Sequence, residues 1–211
     1  MNSVPEPCVF IVDDDDDIRT SLSRALRTRG YLTETFSSAT DFLDACGPDQ
    51  SGCLILDYGM PGMSGLELQE LLVTRGYSLP VIFITGHGGV PESVRAMKLG
   101  AIDFLEKPFR QEVLIKQIDA ALELDAQGRR GRDRARNAKE RFEKLTDREK
   151  EIAEILVSNP SSASSKDVAR HLDISPRTVD HHRARILEKL RVNSVAELVD
   201  LCISTKLFEK P

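Results

Sequence analysis

Val9-Phe10-Ile11-Val12-Asp13-Asp14-Asp15-Asp16-Asp17 is an apolar run that ends in five consecutive carboxylates. Four apolar residues closed by a polar cluster read as a buried strand. Carboxylates gathered at a strand tip repel one another and require a cation. In open α/β sheets the crevice beyond the carboxyl ends of the strands is where ligands bind. The run therefore predicts both a parallel sheet and a site for a hard divalent ion at its edge.

Working outward, residues 8–122 alternate strand and helix signals. Strands are expected at Val9–Val12, Leu32–Phe36, Cys53–Leu56, Val81–Thr85 and Asp103–Leu105. Helices are expected at Ile18–Arg29, Ala39–Cys46, Gly65–Thr74, Pro91–Leu99 and Gln111–Leu124. Repeated βα units of this kind give a doubly wound, five-stranded parallel sheet covered on both faces by helices. Gly30, Gly76 and Gly100 follow helices as C-terminal caps. Residues that end neighbouring strands converge, so Asp13, Asp14 and Asp57 are expected to share a pocket with Thr85 and Lys107.

That donor set suits phosphoryl chemistry. Mg²⁺ takes oxygen ligands and keeps several waters, so one or two direct carboxylates suffice. A carboxylate is a competent nucleophile. Charge on a transferring phosphoryl group is stabilised by cations such as Mg²⁺ and Lys107. Plainer readings apply nearby: Asp15, Asp16 and Asp17 read as carboxylates favoured at a helix N-terminus. A calcium loop fails, because Ile18 and Arg24 stand where its turn glycine and bidentate glutamate belong. His87 reads as a loop residue.

Residues 145–211 read as all-helical. Thr146 and Glu149 form one capping box and Ser194 and Glu197 another. A first helix starts near Asp147 and stops before Asn159-Pro160, and a short one covers Lys166–Leu172. Asp173-Ile174-Ser175 is a tight turn. Ser175 and Pro176 suit the cap and first position of a helix running to about Leu190. A last helix ends near Thr205. Two helices joined by a three-residue turn mark a helix-turn-helix within a small four-helix domain.

Charge divides the chain. Residues 1–125 hold 10 basic and 20 acidic residues, residues 126–144 hold 8 and 3, and residues 145–211 hold 11 of each. An acidic front, a basic bridge and a neutral rear imply different partners for the two ends. Three segments follow: residues 1–125, a basic, partly helical linker at 126–144 weakened by Gly128 and Gly131, and residues 145–211. No apolar stretch approaches membrane-span length. The N-terminus lacks the basic start and apolar core of a signal peptide. The four cysteines have no metal-ligand spacing, so a reduced, cytoplasmic setting is expected.

Residues 8–122 resemble the receiver domain of two-component response regulators. The resemblance is carried by Val12-Asp13-Asp14, Leu56-Asp57-Tyr58-Gly59-Met60-Pro61-Gly62-Met63-Ser64-Gly65, Ile84-Thr85-Gly86-His87-Gly88 and Glu106-Lys107-Pro108-Phe109. It implies a flavodoxin-like sheet of order 2-1-3-4-5. It implies that Asp57 accepts a phosphoryl group from a sensor histidine kinase. Asp14, Asp57 and the Gly59 carbonyl would ligate Mg²⁺, with Asp13 acting through water and Lys107 pairing with phosphoryl oxygens. The Lys107–Pro108 bond is expected to be cis, and Thr85 with Phe104 to form a switch. No enzyme activity is implied beyond Mg²⁺-dependent self-phosphorylation and slow self-dephosphorylation.

Residues 145–205 resemble the LuxR-type helix-turn-helix, through Leu145-Thr146-Asp147-Arg148-Glu149, Lys166-Asp167-Val168-Ala169 and the stretch Ile174 to Leu190. With Thr85-Gly86-His87-Gly88 before Val90-Pro91, the whole is similar to FixJ/NarL-type transcription regulators. This resemblance implies binding of double-stranded promoter DNA, a homodimer when phosphorylated, and RNA polymerase as a partner. Asp180, His181 and Ala184 would face base edges, and Arg177, Thr178, Arg183, Arg185, Lys189 and Lys166 mostly phosphate. Val179, Ile186 and Leu190 would face the core. Two roles are open to Asp180: accepting from cytosine N4, or holding a neighbouring arginine. Arg148 and Glu149 are expected to pair with charges on other helices. Ser158–Ser165 is a few residues longer than the family's usual turn.

Two rivals share these features. An aspartyl phosphatase would carry Asp-x-Asp-x-Thr, but Asp17 stands where the threonine belongs, and Gly59 stands where a second aspartate would follow Asp57. The other rival keeps the receiver and gives the rear domain an RNA or protein target.

Overall fold

A computed structural model describes residues 6–86, 90–158 and 164–208. His87 and the centre of the long Ser158–Ser165 loop lie outside the described residues. The chain divides into two compact units, Met1–Gly128 and Arg129–Pro211.

In the first unit five strands, β1 (Cys8–Val12), β2 (Leu32–Phe36), β3 (Gly52–Asp57), β4 (Val81–Thr85) and β5 (Asp103–Glu106), form one parallel sheet of order β2-β1-β3-β4-β5. They alternate with α1 (Asp16–Arg27), α2 (Ala39–Ala45), α3 (Gly65–Thr74), α4 (Val90–Lys98) and α5 (Gln111–Glu143). The central strands are buried on both faces, as helices on either side of a parallel sheet require. Phe10, Leu54 and Phe83 pack on one face with Phe42 and Leu68; Ile11, Ile55 and Ile82 pack on the other with Leu26, Leu114 and Ile118.

Local chemistry sets the ends of the elements. Asp15 caps α1, accepting from the backbone N–H groups of Asp17 and Ile18 at 2.9 and 3.1 Å. Ser64 and Glu67 make a reciprocal capping box at α3. Gly30, Gly76 and Gly100 follow α1, α3 and α4 with φ of 90°, 76° and 88°.

One expectation needs correcting. The stretch 126–144, read as a partly helical linker, is helical as far as Glu143, because α5 runs without a break from Gln111. A glycine inside a helix costs roughly 0.5–1 kcal/mol relative to alanine. Strong helix formers around Gly128 and Gly131, with the Asp133–Arg136 pair at 2.8 Å, outweigh that.

The second unit adds α6 (Asp147–Ser158), α7 (Ser165–Leu172), α8 (Pro176–Leu190) and α9 (Val195–Thr205) to the end of α5. Ile152, Leu156, Val168, Val179, Ile186, Leu190 and Leu198 form its core. Ser175 caps α8 with Pro176 at its start, and Asp173 closes α7 in the left-handed conformation with φ of 53°. The Thr146–Glu149 box forms in both directions. The Ser194–Glu197 box forms only by half. Ser194 Oγ accepts from the Glu197 N–H, but the Glu197 carboxylate accepts from Asn193 N–H groups one residue earlier. Among the described residues no helix is long and apolar enough to cross a membrane.

Candidate phosphoacceptor site and DNA-binding helix

Register places the acidic site. Val12 pairs with Leu56 across β1 and β3, so Asp13 and Asp57 both stand one step beyond the pair at the carboxyl edge. Thr85 ends β4 opposite Glu106, and Lys107 follows, donating its N–H to the Thr85 carbonyl at 2.7 Å. The Lys107–Pro108 peptide bond is cis.

At that edge Lys107 Nζ lies 2.8 Å from Asp13 Oδ2 and 2.8 Å from Asp57 Oδ1. Asp57 Oδ2 accepts the Gly59 N–H at 2.7 Å, and Asp13 Oδ1 accepts the Asp15 N–H at 2.9 Å. Asp13, Asp57 and Thr85 are all buried. Burial pushes the Asp13 carboxyl above its ordinary range, against the opposing pull of Lys107. Burial lowers Lys107 as well, but its bonds to Asp13 and Asp57 outweigh this and hold the ammonium above its usual value. The raised Lys107 fits an ammonium held between two carboxylates, while the raised Asp13 reflects its burial.

Asp14 is exposed beside this cluster. Among the described residues no three acidic, histidine or cysteine side chains converge as a closed metal cluster. A Mg²⁺ site of one or two carboxylates, a carbonyl and water needs no such cluster. The oxygen-only donors Asp13, Asp14, Asp57 and the Gly59 carbonyl fit that ion. A Cβ at position 59 would stand 3.6 Å from Asp57 Oδ2, an ordinary van der Waals contact, so the backbone of residue 59 lies directly against the carboxylate.

Two residues not singled out in the sequence also shape the site. Arg19 donates to the Asp13 carbonyl at 2.6 Å and pairs with Asp16 at 2.7 Å. Tyr58 packs edge-on against Phe83 and Phe104, at 6.2 and 5.9 Å between ring centroids. Phe104 is half-buried, 5.9 Å from Phe83. The place of Tyr58 directly after Asp57 was visible; its ring contacts depend on how β4 and β5 pack.

In the second unit α7 and α8 form the helix-turn-helix. Val179, Ile186 and Leu190 are buried. Arg177, Thr178, Asp180, His181, Ala184 and Arg185 are exposed, as is Lys166 on α7, while Arg183 is half-buried. Lys189 is turned toward the domain: its Nζ lies 2.6 Å from the buried carboxylate of Glu149 and 3.3 Å from the Lys144 carbonyl. Arg148 pairs with Glu151 on its own helix at 2.6 Å and donates to the Leu172 carbonyl on α7 at 2.8 Å. So Glu149 reaches another helix through a charge, and Arg148 through a carbonyl.

Comparison with known proteins agrees with both halves. The response regulator receiver domain family matches residues 9–119, and the luxR family of bacterial regulatory proteins matches residues 143–202. Response regulator protein TodT of Pseudomonas putida is 42% identical over 191 residues, 90% of this chain and 83% of TodT. Transcriptional regulatory protein FixJ of Azorhizobium caulinodans is 42% identical over 195 residues, 92% of this chain and 91% of FixJ. Among solved structures, response regulator StyR aligns with a TM-score of 0.83 at 43% identity, covering 94% of this chain and 98% of StyR. The chain belongs to the two-component response regulators, with a receiver domain followed by a LuxR-type DNA-binding domain.

Proposed function

We propose that Asp57 is the phosphoacceptor and that its phosphorylation controls promoter binding by the helical domain. The observation that carries this reading is the Lys107 ammonium 2.8 Å from Asp57 Oδ1, with buried Asp13 on its other side. An Asp57 oxygen attacks phosphorus, the phosphorus–nitrogen bond of the kinase phosphohistidine breaks, and the imidazole leaves with its electron pair and takes a proton. Mg²⁺, when held by Asp14, Asp57 and the Gly59 carbonyl, with Asp13 acting through water, would supply positive charge against the phosphoryl oxygens. Lys107 is already on the Asp57 carboxylate and follows the added charge onto those oxygens. Slow self-dephosphorylation by water closes the cycle, and no other enzymatic turnover is assigned.

Phosphorylation adds roughly −1.5 to −2 charge and three acceptor oxygens. Thr85 moves toward them, and Phe104 turns into the space behind it. The altered surface pairs two chains, and the dimer presents two α8 helices to half-sites about one DNA turn apart. Lys166, Arg177, Thr178, Arg183, Arg185 and Lys189 serve phosphate, with Lys189 exchanging its bond to Glu149, while His181 and Ala184 face bases. A sensor histidine kinase is the donor, double-stranded promoter DNA the target and RNA polymerase the downstream partner, in the cytoplasm. The name of the FixJ relative, a transcriptional regulatory protein, supports this assignment.

The test is labelling by acetyl phosphate with Mg²⁺, read on a phosphate-affinity gel. The native chain is expected to shift, and Asp57→Asn to show no shift. Retained labelling of Asp57→Asn moves the acceptor elsewhere.

A further inference from the structure

Asp180 is an acidic residue on the face of a helix read as entering DNA, where a bare carboxylate opposes phosphate. Its surroundings give it a use. Ser165, the first residue of α7, donates its hydroxyl to Asp180 Oδ1 at 2.5 Å. The same Oγ accepts from Arg183 Nη1 at 3.1 Å. A hydroxyl has one donor and two acceptor sites, so it can join a carboxylate to a guanidinium with both polarities satisfied. Asp180 and Arg183 are three residues apart on α8 and therefore neighbours on its surface. The carboxylate also lies at the amino end of α7, where the helix dipole favours negative charge.

We propose that Asp180 is a positioning residue for DNA recognition, aiming Arg183 through Ser165 instead of reading a base. The proposal rests on the reading that α8 carries the DNA-facing residues. It makes Ser165, on the first helix of the pair, part of the recognition surface. It also predicts a sign opposite to simple electrostatics. Removing a negative charge from a DNA-binding face ordinarily strengthens binding to every sequence. Removing a carboxylate that aims an arginine weakens it.

The experiment uses the full chain with beryllofluoride and Mg²⁺. A site is first selected from random duplex DNA by the native protein, then titrated by anisotropy across a salt series. Failure of the native chain to bind any duplex would defeat the DNA reading itself; all other outcomes bear on Asp180. Asp180→Asn and Ser165→Ala are each expected to weaken binding to all sequences by about tenfold, the scale of one charge-assisted hydrogen bond. The selected base preference stays unchanged, and Ser165→Thr binds as the native chain does. In an Arg183→Ala background Ser165→Ala loses its effect, and Asp180→Asn no longer weakens binding. A purely structural clasp would persist as a loss in that background, so persistence overturns the proposal. Tighter binding by Asp180→Asn, a loss confined to one base position, or native affinity in Arg183→Ala overturns it equally. If Asp180→Asn melts early, Ser165→Ala against Ser165→Thr carries the same comparison.

Discussion

At the scale of single residues the fold leaves the acidic site little room to move. A Cβ on Gly65 would stand 2.2 Å from the Asp57 carbonyl oxygen and 3.1 Å from Leu56 Cγ. Neither neighbour can retreat, since Leu56 and Asp57 belong to the central strand of the sheet. Gly65→Ala is therefore expected to cost about 2–3 kcal/mol, as overpacking does, and to slow acetyl phosphate labelling of Asp57. Gly47→Ala is the control, because a Cβ there meets nothing within 4 Å. Thermal melting and labelling of both variants check this; native-like labelling by a destabilised Gly65→Ala would separate packing from chemistry. The reason Asp57 was legible in the sequence lies at the same scale. A carboxylate closing a short apolar run bounded by turn signals reads as a strand tip. The contacts of Arg19 and Tyr58 were not legible, because a long side chain reaches its partner through tertiary geometry that spacing does not encode.

At the scale of elements, most boundaries followed from punctuation that acts locally: caps, glycines and the change from continuous to helical apolar periodicity. Where a competing local partner existed, the reading failed. Asn193 takes the Glu197 carboxylate that Ser194 was expected to share. Gly128 and Gly131 signalled weakness in a helix that forms regardless. This bears on α5, since a Cβ on Gly131 meets nothing within 4 Å. Gly131→Ala is expected to stabilise the helix by about 0.5–1 kcal/mol, seen as stronger helical circular dichroism and later melting of the helical domain. Earlier melting would mean that the glycine serves a conformation other than this helix. A second element-scale prediction concerns α6 and α8. Burial works to raise the Glu149 carboxyl, but the Lys189 ion pair and the bonds from Thr146 prevail and hold it below its usual 4.5. A carboxyl depressed on folding contributes stability above its unfolded pKa and loses it as pH falls through the folded value. Melting temperature should thus fall below about pH 4.5. Glu149→Gln should melt earlier at pH 7, destabilised by about 1–3 kcal/mol through loss of the charge-assisted bond, and lose less on acidification. An equal acid loss in both proteins would assign that sensitivity to other carboxylates.

At the scale of the whole molecule, the division of charge anticipated two functional ends, and the two compact units agree with two separately built cores. How strongly the ends communicate is an energy, and a sequence does not display the gap between two states. It can be measured by a reciprocity that thermodynamics imposes. If phosphorylation of Asp57 favours DNA binding, DNA must favour the phosphorylated state by the same factor. Beryllofluoride with Mg²⁺ serves as the readable ligand. It is expected to tighten binding to the selected duplex by about 5–150-fold, the usual range of allosteric coupling, and to shift the chain toward dimers in sedimentation. Adding that duplex must then lower the beryllofluoride midpoint, by a factor that multiplied over the two sites of the dimer equals the gain in DNA affinity. Removing Mg²⁺ with EDTA, or replacing Asp57 by asparagine, should abolish both arms together. A ligand can move an equilibrium only by its differential affinity for the two states. Tighter DNA binding without the reciprocal gain at Asp57 would place the effect of beryllofluoride outside the acidic site, and the switch would have to be sought elsewhere in the chain.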